Sequence, residues 1–152
     1  VVMVAVFENE LKQHLQTLTE SPESVRAYLG EFDDPERLES CIKSAPVIFI
    51  DYDGDEVIDT YKKECRWNLY IVGSTASKAE KYREASRHEL IDFMEKVDKS
   101  LIDRSFSNSG SIKLIAAKKI FDGVTNQGYL TVYVRNFSAV LFEDEVEILE
   151  EE

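Results

Sequence analysis

The chain has 152 residues, of which 43% are hydrophobic and 32% are charged, and its formal net charge is −12. This length fits one domain whose core is large enough to fold without disulfides or a structural metal. The acidic balance argues against sequence-specific nucleic-acid binding, because affinity for phosphates comes mainly from Lys and Arg. No apolar run approaches the ~18 residues of a membrane span, so we expect no membrane partner.

Charge is distributed unevenly along the sequence. Residues 1–60 have a net charge of −10, residues 61–140 of +5 and residues 141–152 of −7. The simplest interpretation is an ordinary solvated surface. The alternative is one acidic and one basic face, through which copies could associate head to tail. Such a contact closes into a ring if the rotation between copies permits.

The N-terminal third predicts a helix followed by short elements. Apolar residues recur at helical spacing: Val4, Phe7, Leu11, Leu15 and Leu18. They predict an amphipathic helix that ends before Pro22. Alternation from Val25 to Leu29 predicts a short strand, and Asp34-Pro35 predicts the start of a short helix.

Two central strands follow. Residues 47–50 are apolar on both faces, which is typical of a strand inside a sheet. Asp53-Gly54-Asp55 is a turn or bulge signal. The next strand runs from about Lys62 to Val72 and stops at Gly73, with Cys65, Trp67, Leu69 and Ile71 on one face. We expect it to pair antiparallel with residues 47–50 and to place Trp67 in the core.

A long helix and two further strands complete the pattern. Ser77 with Glu80 forms a capping box, and apolar residues keep helical spacing as far as Leu101. Ile112 to Phe121 predicts a strand. Asp122-Gly123 and Asn126-Gln127-Gly128 are turn signals, and a last strand begins near Leu130 and is expected to continue to Phe142.

This element order indicates the α+β class. We expect a mostly antiparallel sheet of about four to five strands, with the N-terminal helix and one long helix packed on it. Residues 1–142 would form a single domain, and residues 143–152 an acidic C-terminal tail.

Asp51-x-Asp53-x-Asp55 resembles the start of a calcium-binding loop. That loop needs Gly at its sixth position and a bidentate carboxylate at its twelfth. Those positions hold Glu56 and Lys62 in this sequence. We therefore expect a solvated acidic hairpin and no calcium site.

Nothing in the pattern predicts catalysis. The chain has two Cys and two His, at positions 41, 65, 14 and 88, and none has a partner at metal-binding spacing. A catalytic Cys–His pair stays an open alternative, because its two residues need to be close only in the folded protein. No local sequence signature supports such a pair. The six glycines form no phosphate-binding loop. We expect no enzyme, cofactor, catalytic residue or metal.

Several segments together carry a resemblance to a known family: Phe7–Leu11, Pro46–Gly54, Trp67–Val72, the helix from Ser77, and Asp122-Gly123 with Tyr129–Val134. They cover about residues 3–142. The layout resembles tail-terminator or head–tail neck proteins of Mu-like phages and prophages. The resemblance implies a protomer that assembles into a ring, expected to be a hexamer, at the head-proximal end of the tail. The alternative is a ring that forms only with its tail partner in the assembled particle, the isolated protein being a monomer or dimer. It implies tail tube, sheath and neck proteins as further partners, and residence in the bacterial cytoplasm and the virion.

Two functions follow from these observations. The first is a structural virion protein that caps or joins the tail by homo-oligomeric assembly. The second is a small acidic protein of immunity or inhibitor type that covers a basic protein surface. The acidic candidates for an interface are Asp51, Asp53, Asp55, Glu56 and Asp59, and the basic candidates are Lys62, Lys63, Arg66, Lys118 and Lys119. In a ring, we expect the basic set of one copy to face the acidic set of the next.

Overall fold

The computed structural model describes residues 3–19, 24–28, 46–75, 80–125 and 128–143. The helices in these ranges are α1 (Met3–Gln16) and α2 (Glu80–Leu101). The strands are β1 (Val25–Ala27), β2 (Val47–Asp59), β3 (Lys62–Thr75), β4 (Lys113–Thr125) and β5 (Gly128–Phe142). They form one sheet in the order β1-β2-β3-β5-β4. β1 and β2 are parallel and the other pairs are antiparallel, so the fold is α+β with a mostly antiparallel sheet, as predicted.

Both helices contribute to the core on one side of the sheet, which we call the helix face. From α1 the buried residues are Phe7, Leu11 and Leu15, and from α2 they are Leu90, Met94, Val97 and Leu101. They pack with the four residues that alternation assigned to one side of β3, Cys65, Trp67, Leu69 and Ile71. The predicted inward face of β3 is therefore confirmed. Removing this apolar surface from water is the main force that holds the helices on the sheet.

Trp67 is the centre of this core. Its ring stacks on Phe7 at a centroid distance of 4.4 Å and on Phe137 at 5.4 Å. Its indole N–H donates a hydrogen bond to the Glu8 carboxylate, with the two atoms 3.0 Å apart. Trp67 is fully buried, so this one bond satisfies its only polar group.

The opposite side of the sheet, which we call the far face, has a smaller core. Its buried members are Val47, Phe49, Val72, Leu130 and Val132. Tyr28 and Tyr70 pack against them, with ring centroids 4.9 Å apart. Because residues 47–50 are buried on both faces, β2 reads as a continuous apolar run at this point.

The β2–β3 pairing matches the predicted one, but its boundaries differ. Ile48 lies opposite Ile71 and Ile50 opposite Leu69 in antiparallel register. Asp53 is a bulge and not a turn, because β2 continues to Asp59. Gly54 follows the bulge at φ 125°, a conformation that favours glycine.

Two glycines that we predicted to end strands lie inside strands. β3 passes through Gly73 and continues to Thr75. A Cβ on Gly73 would lie 3.0 Å from a methyl carbon of Leu90, so this glycine allows α2 to approach the sheet closely. Gly123 pairs with Leu130, and the turn predicted at Asp122-Gly123 is wrong. The Asp122 carboxylate is held instead by Lys119, at 3.1 Å, and by the Thr131 hydroxyl, at 3.2 Å.

The last strand is continuous from Gly128 to Phe142, as predicted. The short helix predicted from Asp34, the Ser77 capping box and the acidic tail after Glu143 lie outside the described residues. Neither described helix is long and apolar enough to cross a membrane.

Candidate assembly surfaces

The outer half of β2 is one end of the sheet. From Asp51 to Asp59 it pairs with β3 on one side, whereas β1 reaches only Ile48 to Ile50 on the other. We call residues 51–59 of β2 the acidic edge, because five of the nine side chains are carboxylates. Within the acidic edge, Val57 and Ile58 are 76% and 54% exposed.

The free side of β4 is the other end of the sheet. Among the described strands, β4 pairs only with β5. We call residues 113–121 of β4 the basic edge, since its charged side chains are Lys113, Lys118 and Lys119. Three large apolar side chains lie among them, with Ile115 55%, Ile120 44% and Phe121 43% exposed. Ile115 and Ile120 are both bulge residues, skipped in the pairing with β5.

Eight of the ten interface candidates come together on the β2–β3 hairpin: Asp51, Asp53, Asp55, Glu56, Asp59, Lys62, Lys63 and Arg66. Lys118 and Lys119 lie at the opposite end of the sheet, on β4. The sequence could not reveal this grouping, because it depends on which strands pair.

Cations of the hairpin already have acidic neighbours in their own chain. The Lys63 ammonium lies 3.5 Å from the Asp55 carboxylate, and the Arg66 guanidinium 4.0 Å from Glu56. Lys62 lies opposite Asp59 in the strand register. These pairs are on the surface, so each contributes little to stability. Lys62 and Lys118 are the candidate cations with no ion pair to the described residues.

Asp55 fixes the geometry of the acidic edge. It accepts a hydrogen bond from the Tyr52 hydroxyl, and this bond, reinforced by Lys63, lowers the pKa of the Asp55 carboxyl. Burial and the hydrogen bond to Asp55 raise the pKa of Tyr52. Asp55 is therefore ionised and Tyr52 neutral near pH 7, which suits a structural contact and not proton transfer.

A polar row crosses the far face beside the acidic edge. Asn136 of β5 donates a hydrogen bond to Asn68 of β3, which in turn bonds to Asp51 of β2. Burial raises the pKa of Asp51, and the bond from Asn68 partly offsets that rise. The row links three strands through their side chains, so it stiffens the base of the hairpin.

Cys65, His14 and His88, the described residues among those considered for catalysis, do not form a reactive group with one another. Burial raises the pKa of the Cys65 thiol, whose sulfur lies 3.8 Å from the Tyr52 hydroxyl. A buried thiol with a raised pKa is a poor nucleophile. His14 packs at the edge of Phe106, and burial followed by the Arg104 charge lowers its pKa. His88 is exposed on α2, and Cys41 lies outside the described residues.

A half-open pocket of about 170 Å³ lies between α2 and the ends of β2 and β3. Ser74, Ser86 and Glu89 supply its polar lining, and Leu90 and Phe93 are among its apolar side chains. It is smaller than the ~300–1,000 Å³ typical of small-molecule sites. In the part of the chain that the structure describes, no three His, Cys, Asp or Glu side chains are placed to hold a metal ion.

Sequence reasoning did not identify Val57, Ile58, Ile115, Ile120 and Phe121 as surface residues. Ile115, Ile120 and Phe121 fall in a predicted strand rich in apolar residues, and such strands are usually buried. Val57 and Ile58 fall in the segment expected to be a solvated acidic hairpin, where the carboxylates dominated the interpretation. Bulges leave no sequence signal as clear as a turn does, and here they place Ile58, Ile115 and Ile120 outside the regular alternation.

The chain matches no protein-family model and no curated protein.

Proposed function

We propose that this chain is a structural protein of a phage or prophage virion, of the tail-terminator or head–tail joining type, and that it acts by assembling with copies of itself. One observation carries the proposal: exposed apolar side chains lie at both ends of a single sheet, next to charges of opposite sign. Val57 and Ile58 accompany the acidic edge, and Ile115, Ile120 and Phe121 accompany the basic edge.

Such a surface favours contact between proteins. Long strand edges with exposed apolar side chains invite pairing with another chain. Because the two edges differ in charge and lie at opposite ends of the sheet, copies can join head to tail. A head-to-tail contact closes into a ring when its rotation permits, and a ring is the architecture that the sequence resemblance implies.

The net charge suits a ring at the end of a tail. DNA passes through such a ring, so a protein that bound phosphates strongly would hold the duplex back. With a net charge of −12 per copy, the assembled protein repels DNA at long range. Few phosphates would be neutralised, and few counterions released.

Deleting the gene from a functional phage tests this proposal. Without a protein that caps or joins the tail, we expect free heads and tails, or tails of uncontrolled length, in electron micrographs. Wild-type protein supplied from a plasmid should restore joined particles, in which mass spectrometry detects the chain. Normal particles from the deletion mutant, or purified particles that lack the chain, would show that the virion function is wrong.

An acidic inhibitor of a basic protein is the second candidate, since Asp53, Asp55 and Glu56 are exposed on one hairpin. The hairpin cations weaken this candidate, because Lys63 and Arg66 lie beside two of those carboxylates. Gene order separates the two functions. A tail protein has tube and sheath genes as neighbours, and an inhibitor has a toxin gene.

A further inference from the structure

We propose that the acidic edge of one copy pairs with the basic edge of the next copy as an antiparallel strand, so that one sheet continues from protomer to protomer. The proposal rests on the homo-oligomeric function proposed above and names the surfaces that carry it. The occupant of each edge is thus a second copy of this chain.

Among the described residues, no strand pairs with the outer side of either edge. Within the described sheet, β4 pairs with a strand on one side only. Beyond Ile50, β2 also pairs with a strand on one side only. Nearly all side chains of residues 113–121 are exposed, as are those of residues 55–59. Unpaired strand edges of this length, with exposed apolar residues, are templates for another strand.

The direction of the junction follows from the topology. β2 is antiparallel to β3, β3 to β5, and β5 to β4, so β2 and β4 run in opposite directions. A ring that repeats the sheet around an axis along the strands preserves strand direction in every copy. β4 of one copy therefore meets β2 of the next in antiparallel orientation.

The irregularities of the two edges have the same spacing. Asp53 and Ile58 are the bulge residues of β2, and Ile115 and Ile120 are those of β4. Between them lie regular stretches of equal length, Gly54–Val57 and Ala116–Lys119. Bulges and lysines normally protect an edge from indiscriminate pairing. The register given below offsets the bulges of the two edges by one residue, and between them it pairs Asp55–Val57 with Ala117–Lys119 as a regular stretch.

The faces of the sheet select the register. Residues directly opposite each other in two strands point to the same face. Glu56 and Lys118 belong to the far face, since they align through β3 and β5 with Glu64 and Val134, whereas Asp55 and Lys119 belong to the helix face. The register that places Glu56 opposite Lys118 also places Asp55 opposite Lys119. Both pairs then join opposite charges on the correct face.

Glu56 gains most from this junction. It lies directly opposite Glu64 within its own hairpin, and like charges in that arrangement repel. Arg66 lies 4.0 Å from Glu56, at the limit of an ion pair. Lys118 from the next copy would bring a second cation to the other side of Glu56.

The stagger between the two edges is compatible with a closed ring. Strand pairing places Glu56 at the level of Val140 in β5, and Lys118 at the level of Val134. Pairing Glu56 with Lys118 therefore displaces each copy by six residues along the strands relative to the previous copy. Six residues rise about 20 Å along the strands, and four strand spacings span about 19 Å. The strands would then tilt by about 45°, at the upper end of the range for closed barrels.

Zero-length cross-linking tests the pairing directly. A carbodiimide joins a carboxylate to an amine only when the two are in contact. Within one chain Glu56 and Lys118 lie about 25 Å apart by the same strand geometry, so they cannot be joined there. In an equal mixture of ¹⁴N- and ¹⁵N-labelled protein, we expect a Glu56–Lys118 cross-linked peptide that combines both isotopes. Its absence at protein concentrations where other cross-links between copies form would overturn the proposed register.

Charge exchange provides the second test. Lys118→Glu and Glu56→Lys should each weaken self-association by about tenfold or more, because like charges then face each other across the junction. The double variant should restore it. Lys96→Glu, on the exposed side of α2, makes the same charge change away from both edges and should assemble normally. Circular dichroism checks that every variant is folded.

The outcomes separate this proposal from the proposed function. If wild-type protein and both single variants assemble equally, the edge pairing is wrong while homo-oligomeric assembly stands. If the wild-type protein forms no oligomer at any concentration, the edge pairing is overturned by that result alone. The virion function is then decided by the deletion phage.

Discussion

Trp67 connects α1, β3 and β5 through two stacked rings and one buried hydrogen bond. We expect Trp67→Ala to reduce the free energy of unfolding by ~3–5 kcal/mol, the cost of emptying a large core site. Trp67→Phe keeps an aromatic ring in the stack and should reduce the free energy of unfolding by less than Trp67→Ala. Both variants lack the chain's one tryptophan, so urea unfolding is better followed by circular dichroism than by tryptophan fluorescence. A loss below ~1 kcal/mol for the alanine variant would contradict the role of Trp67 in the core.

His14 makes stability depend on pH. Burial, and to a smaller extent the positive charge of Arg104, lower its pKa from the ordinary value of 6.5. A hydrogen bond to the Ser100 backbone raises the pKa and offsets part of this effect. Above pH 6.5 the imidazole is neutral in the folded and the unfolded chain. Below that pH the unfolded chain binds the proton more readily, so the His14 contribution to stability is lost as the pH falls through the folded-state pKa.

His14→Gln should therefore flatten the pH dependence of unfolding between pH 7.5 and 5.5. Carboxylates titrate in both proteins, so the difference between wild type and variant isolates the histidine. Identical slopes would contradict the lowered pKa.

Calcium should not bind the segment Asp51–Asp59 with a defined stoichiometry. The extended strand places Asp51 on the far face and Asp55 on the helix face, so these carboxylates do not converge on one point. Isothermal titration calorimetry is the measurement. One-site binding tighter than ~0.1 mM, well within the range of protein calcium sites, would reopen a metal role.

At the scale of elements, the contact between α2 and β3 depends on a missing side chain. We expect Gly73→Ala to cost about 1 kcal/mol or more, because its Cβ would press on the buried Leu90 side chain at 3.0 Å. Gly110 is the matched control, since a Cβ there meets nothing within 4 Å. Gly110→Ala should change stability by less than ~0.5 kcal/mol in the same unfolding experiment. Equal effects of the two substitutions would mean that Gly73 does not set the distance between helix and sheet.

The sequence predicted the elements better than their ends. Strict alternation in β3 assigned Trp67 to the core, because a period of two has only one buried face. Glycines misled the boundaries. Gly73 allows close packing and Gly123 lies inside β4, so neither ends a strand, whereas Gly54 follows a bulge, one of the two alternatives predicted for Asp53-Gly54-Asp55. These three roles share one residue type, and only the neighbours in space distinguish them.

For the candidate site, the residue types were predictable and their grouping was not. Asp51 and Asp55 stood out as part of an acidic cluster, and Lys118-Lys119 as a basic pair. Lys63 and Arg66 fall beside the acids through strand pairing, which depends on contacts distant in sequence. Ile115 and Ile120 became surface residues because bulges place them outside the regular pairing of β4 with β5.

At the scale of the whole molecule, the sheet has an acidic end and a basic end with apolar side chains at both. That asymmetry is the physical basis for expecting head-to-tail assembly, with charges setting the register and apolar contacts adding affinity. Interactions between exposed charges are screened beyond ~8 Å at physiological salt, and this distance shortens as salt increases, so the association should weaken at higher salt.

The mass of the purified protein in solution tests this account most directly. Sedimentation equilibrium should show a mass that increases with concentration above the 17.4 kDa of one chain. At a given concentration, we expect a larger mass at low salt than at high salt. A mass of 17.4 kDa at every concentration and salt would contradict the account.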